Sequence, residues 1–129
     1  MAKILIIDDD PDIVETLKVV LEKNGHSVDS AANSEEGFEQ IKKSPPQLLI
    51  LDVMMNGMQD GFDLARKIKK DSRYKQIPIL MLTAIMEKTG FDFKPAVGDE
   101  EWLPVEDFLD KPVKPEVLLS KVEKLLSKK

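Results

Sequence analysis

The sequence predicts an α/β fold, a parallel sheet doubly wound with helices on both faces, and three observations predict it. Short apolar runs alternate with stretches of helical period. The runs "ILII" at 4–7, "LLIL" at 48–51 and "ILML" at 79–82 are aliphatic throughout, as strands must be when helices cover both faces. Each run also stops at a polar residue: Asp8, Asp52 and Thr83. Ligands of such open sheets sit outside the carboxyl ends of the strands, so these residues share the edge where chemistry is expected.

Lys3 to Ile7 is the first strand. Asp10 is then a good N-cap, and Pro11 suits the first helical position. Ile13, Leu17, Val20 and Leu21 mark one helical face, which Gly25 ends. Ser27 to Ala31 is a weaker strand. Asn33 and Glu36 have capping-box spacing and open a helix with Phe38 and Ile41 inward, stopped by Pro45 and Pro46. Gln47 to Leu51 is the third strand. After a loop, Phe62, Ala65 and Ile68 share one side of a helix that runs to about Lys70. Pro78 to Leu82 is the fourth strand. Val105 to Leu109 is a fifth, closed by Asp110, Lys111 and Pro112. Pro115 starts a last helix with Leu118, Val122, Leu125 and Leu126 inward.

Bulk properties narrow the function. A chain of 129 residues is one domain's length, and 42% hydrophobic with 33% charged residues describes a globular protein. Cysteine is absent, which excludes disulfides and thiolate metal sites. The apolar runs are too short to span a bilayer, and residues 1–7 have no signal-peptide pattern, so a cytoplasmic location and no membrane contact are expected. The net charge of −5 argues against direct nucleic-acid binding. His26, the one histidine, follows a helix-ending glycine and is expected at the surface.

With "ILIIDDDP", "LLILDVMM", "ILMLTA" and "FLDKPV" in this order, the whole chain resembles the receiver domain of bacterial two-component response regulators. The resemblance implies a single domain over 1–129 with a five-stranded parallel sheet in the order 2-1-3-4-5. It also implies a phosphoacceptor that takes a phosphoryl group onto Asp52 from a sensor histidine kinase or histidine phosphotransfer protein. By the family pattern Mg²⁺ is bound by Asp9, Asp52 and the backbone carbonyl of Met54, with Asp8 acting through water. Lys111 is the cationic clamp, Thr83 the hydroxyl donor to the phosphoryl oxygen, and Ala84 the small residue that admits the phosphate. Phe108 is the aromatic switch, and the Lys111–Pro112 bond is expected to be cis. The acidic residues suit this chemistry, because hard oxygen ligands without His or Cys favour Mg²⁺. Asp8 and Asp9 are then a cation site, and Asp10 caps a helix. A downstream protein target completes the implied pathway, with no turnover catalysis.

Three rival readings differ in their requirements. "DVMMNGMQDGFD" has parts of a calcium loop but Met54 at its third position and Asp63 at its twelfth, and a strand precedes it. A haloacid-dehalogenase-like Mg²⁺-dependent phosphohydrolase would need its nucleophile at the first strand and an acidic pair after the lysine. A degenerate receiver that only docks would not need the intact acidic pair. Two departures from the family pattern also stand out. Asn56 replaces the usual Pro, with Gln59 an apparent insertion before Asp60, and the span from Thr83 to Lys111 is longer than usual. Pro95, Gly98 and Pro104 interrupt any helix there, so an irregular segment over 85–104 is expected, with Phe91, Phe93 and Trp102 folded onto the sheet. An altered face at that position predicts a monomer, or a dimer through another surface.

Overall fold

The structure, a computed structural model, describes residues 2–52, 58–83, 107–110 and 113–127. The elements run β1 (Lys3–Ile7), α1 (Pro11–Lys23), β2 (Ser27–Ala31), α2 (Ser34–Lys43), β3 (Leu48–Asp52), α3 (Met58–Lys70), β4 (Ile79–Thr83), β5 (Asp107–Asp110) and α4 (Pro115–Leu126). The five strands form one sheet in the order β2-β1-β3-β4-β5, parallel at every pairing, as expected.

Local chemistry explains the element ends. Asp10 caps α1 with Pro11 following it, and Asn24 closes that helix before Gly25 turns at φ +87°. That left-handed turn is one that glycine makes without strain. Asn33 caps α2, its Oδ1 accepting the Glu36 N–H at 2.8 Å, while its amide donates to the Glu36 carboxylate at 3.0 Å.

Several boundaries differ from expectation. β3 and β4 each take in the polar residue that was expected to stop them, Asp52 and Thr83. Asp110, expected in a closing turn, is the last residue of β5. Helix α3 begins at Met58, ahead of Phe62, so Gln59, Asp60 and Gly61 belong to its first turns rather than to the preceding loop. The 85–104 segment with Phe91, Phe93 and Trp102, its irregular character and its bearing on oligomeric state lie outside the described residues.

The sheet carries a separate apolar core on each face. Leu5, Ile7, Leu49, Leu51, Ile79 and Met81 pack with Ile41 of α2 and with Leu64, Ala65 and Ile68 of α3. The alternate positions Ile4, Ile6, Leu48, Ile50, Leu80 and Leu82 pack with Leu17 and Leu21 of α1 and with Leu118, Val122 and Leu125 of α4. Strand alternation produces this division, and every one of those strand side chains is buried.

His26 departs furthest from expectation. It is 8% exposed rather than on the surface. Its Nδ1 accepts the Ala2 N–H at 3.3 Å, and its Nε2 lies 3.4 Å from the Glu123 Oε1 of α4. The turn at Gly25 sends the imidazole inward between the start of β1 and the last helix, in step with buried Val28 two residues on.

Helix α2 approaches β1 closely. A Cβ built at Gly37 would lie 2.2 Å from Ile7 Cδ1 and 2.7 Å from its Cγ1. Alanine gains about 1 kcal/mol of helix propensity over glycine, but overpacking a filled core typically costs about 1–3 kcal/mol. Gly37→Ala is therefore expected to destabilise the protein or at best break even, read as the midpoint of urea denaturation. A clear gain in stability would show that α2 can move away from the sheet freely.

Candidate metal centre

The site is assembled by strand register. Ile7 of β1 lies beside Leu51 of β3, so the next residues along these parallel strands, Asp8 and Asp52, are neighbours at the carboxyl edge. Asp8 continues the Ile4 and Ile6 row, and Asp52 continues the Leu48 and Ile50 row, so alternation directs both toward the same face. Both are only 2% exposed, whereas Asp9 is exposed. Asp8, Asp9 and Asp52 each offer a carboxylate oxygen, and these oxygens lie within 4.8 Å of one another.

The turn after β1 holds Asp8 by its own backbone. The Asp8 N–H donates to the Ala31 carbonyl at 3.1 Å, which extends the pairing of β1 with β2. Asp8 Oδ1 accepts the Asp10 N–H at 2.9 Å. Asp10 Oδ1 in turn accepts the Asp12 N–H at 3.0 Å. The sequence predicts the capping role of Asp10 but not its bond to Asp8; the i, i+2 spacing of Asp8, Asp10 and Asp12 is the signal for such consecutive side-chain turns.

This donor set fits a hard cation. Two carboxylates at 4.8 Å repel by roughly 3 kcal/mol at an effective dielectric near 20, and a divalent ion removes that repulsion. Oxygen donors alone, with no histidine or thiolate among them, suit Mg²⁺ over zinc or copper.

The other expected site residues are placed in part. Thr83 ends β4 opposite Asp110 of β5, and Phe108 lies opposite Met81, so both stand on the strands expected. Met54, Ala84, Lys111 and the Lys111–Pro112 bond lie outside the described residues. The structure thus brings together Asp8, Asp9 and Asp52 and sets Thr83 at the same sheet edge, one residue beyond the Leu82 that pairs with Asp52.

Comparison with known proteins gives a consistent result. A family profile described as "Response regulator receiver domain" matches residues 4–123. The chain is 32% identical to protein PilH of Pseudomonas aeruginosa over 127 residues, which are 98% of this chain and 99% of PilH. It is 33% identical to PhoP, the alkaline phosphatase synthesis transcriptional regulatory protein of Bacillus subtilis, over 96% of this chain and 48% of PhoP. The chain therefore spans about half the length of PhoP. The crystal structure of a two-component response regulator from Clostridium difficile superposes with a TM-score of 0.81 at 31% identity, covering 99% of this chain and 98% of that one. The signal receiver domain of a signal transduction histidine kinase from Syntrophus aciditrophicus superposes with a TM-score of 0.82 at 33% identity, covering 98% and 91%.

Repulsion within the acidic cluster makes a prediction about the metal-free protein. Asp9→Ala removes one charge from beside two buried ones. Because Asp9 is exposed and partly screened, the expected gain is only about 1 kcal/mol. In the presence of a chelator the variant should melt above the wild type, and with added Mg²⁺ the order should reverse. A variant that melts lower without metal would mean that Asp9 makes a stabilising contact in the apo protein.

Proposed function

Because the chain belongs to the response regulator receiver domain family, whose members are phosphoacceptor signalling modules of two-component systems, we propose that Asp52 is its phosphoacceptor. The observation that carries this reading is the gathering of Asp8, Asp9 and Asp52 at the carboxyl edge of the sheet within the family match. The phosphohydrolase reading is not favoured by that match, and receiver domains are signalling modules rather than turnover enzymes.

A receiver domain implies a phosphodonor histidine kinase and a downstream target. In the proposed reaction an Asp52 carboxylate oxygen attacks the phosphorus of a phosphohistidine on the kinase or on a histidine phosphotransfer protein. A P–O bond forms, the P–N bond breaks, and the imidazole nitrogen keeps the electron pair and takes up a proton. The product is an aspartyl phosphate. Asp52 ends a strand whose preceding residues are fully buried, which supports a nucleophile on a rigid element with little freedom to lose. Asp9, Asp52 and the Met54 carbonyl would hold Mg²⁺, with Asp8 reaching it through water. The bound ion would neutralise negative charge on the transferring phosphoryl oxygens. Lys111 would clamp those oxygens, with Thr83 donating a hydrogen bond, and movement of Thr83 and Phe108 would pass the change to a docking surface.

Residues 1–129 form one domain in this reading, placed in the cytoplasm beside the kinase and acting as a monomer. Among the described residues no helix is long and apolar enough to cross a membrane. The net charge of −5 favours a protein target over nucleic acid.

Intact mass after incubation with acetyl phosphate tests the assignment. With Mg²⁺ the protein should gain the mass of one phosphoryl group, labile in base as an acyl phosphate is. Omission of Mg²⁺ or the substitution Asp52→Asn should abolish the gain. Undiminished labelling of Asp52→Asn would move the acceptor elsewhere; an unlabelled wild type that still binds a partner would favour docking without phosphorylation.

A further inference from the structure

Asp10 is fixed at three points in the turn after β1. Its N–H donates to Asp8 Oδ1 at 2.9 Å. Its Oδ1 accepts the Asp12 N–H at 3.0 Å and, more weakly, the Ile13 N–H at 3.5 Å. Its carbonyl accepts the Val14 N–H at 3.1 Å. The backbone that grips the buried Asp8 carboxylate is thus the same residue whose side chain caps α1.

We propose that Asp10 is a positioning residue for the cation site, and that its capping of α1 sets the orientation in which the Asp8 carboxylate faces the metal. This rests on the assignment of Asp8, Asp9 and Asp52 as the metal site. The Asp10 side chain engages the first turn of α1 and is not part of the Asp8, Asp9 and Asp52 cluster. Without its side-chain bonds to Asp12 and Ile13 the residue is held on the α1 side by its carbonyl alone, at Val14, and its N–H would meet Asp8 Oδ1 over a wider range of geometries. Partners that orient metal ligands typically change affinity by about 10–100-fold when removed, because the ligand then samples unproductive orientations.

Calorimetric titration of the intact chain with Mg²⁺ at constant ionic strength tests the proposal. Asp10→Ala should weaken Mg²⁺ binding by on the order of tenfold. Asp10→Asn removes the charge but keeps a capping oxygen, and it should restore most of the affinity. Gly25→Ala, at the opposite end of α1 where φ is +87°, should lower the melting temperature while leaving Mg²⁺ affinity within about twofold of wild type. If Asp10→Ala loses its fold by circular dichroism, Asp10→Gly, better tolerated at an N-cap, replaces it with the same expectation. Unchanged affinity in the capless variant would overturn the proposal. So would equal weakening by Asp10→Asn, which would make charge the cause, or by Gly25→Ala, which would make general destabilisation the cause. A wild type that binds no Mg²⁺ would overturn the metal-site reading itself, and this proposal with it.

Discussion

Three carboxylates cannot share one corner of a protein unless something stronger than their repulsion holds them there. That constraint is met by the pairing of β1 with β3 and of β3 with β4. Ile4, Ile6, Ile7 and the whole run Leu48–Leu51 have no exposed surface. Burying each such side chain is worth about 1.5–3 kcal/mol, against roughly 3 kcal/mol of repulsion for one carboxylate pair. The aliphatic strands therefore decide where Asp8 and Asp52 sit, and the register that pairs Ile7 with Leu51 leaves the acids no choice of neighbour.

The opposite end of the sheet is tied together by hydrogen bonds among its backbone groups and Gln47, His26 and Lys3. The Ser27 N–H donates to the Ala2 carbonyl at 2.8 Å, and the Gln47 N–H donates to the Lys3 carbonyl at 2.7 Å. Gln47 Oε1 accepts the Lys3 N–H at 2.9 Å, and His26 receives the Ala2 N–H. One end of the sheet thus pairs several of its own polar groups, while the other concentrates negative charge. That polarity is what a parallel sheet makes available: every strand delivers its last residue to the same edge.

Most of this was legible in the sequence because it follows from short-range rules. Solid aliphatic runs gave the central strands, and Asp10 followed by Pro11 gave the start of α1. The acidic cluster could be read because strand ends in a parallel sheet converge. Boundaries were less legible where a polar residue ends a strand: Asp52 and Thr83 look like stops and yet lie within the ladders. His26 was misread because its burial depends on Ala2 and Glu123, residues far from it in sequence, and on the turn at Gly25. The Asp10-to-Asp8 bond was hidden for a different reason. It uses a backbone donor, and the i, i+2 aspartate spacing that signals such a turn is absorbed by the cation-site reading of Asp8.

The two apolar cores have a further consequence. Among the described residues they meet through the backbone of the strands between them, since alternate side chains leave in opposite directions. Volume changes among Ile41, Leu64 and Ile68 should therefore combine nearly additively with changes among Leu17, Leu118 and Val122, which among the described residues belong to a separate cluster. Sequence drift can then proceed on one side of the partition without compensating substitutions on the other. A fold with this division can diversify the outer surfaces of α2 and α3 separately from those of α1 and α4, while the strands that carry the acidic residues stay in place.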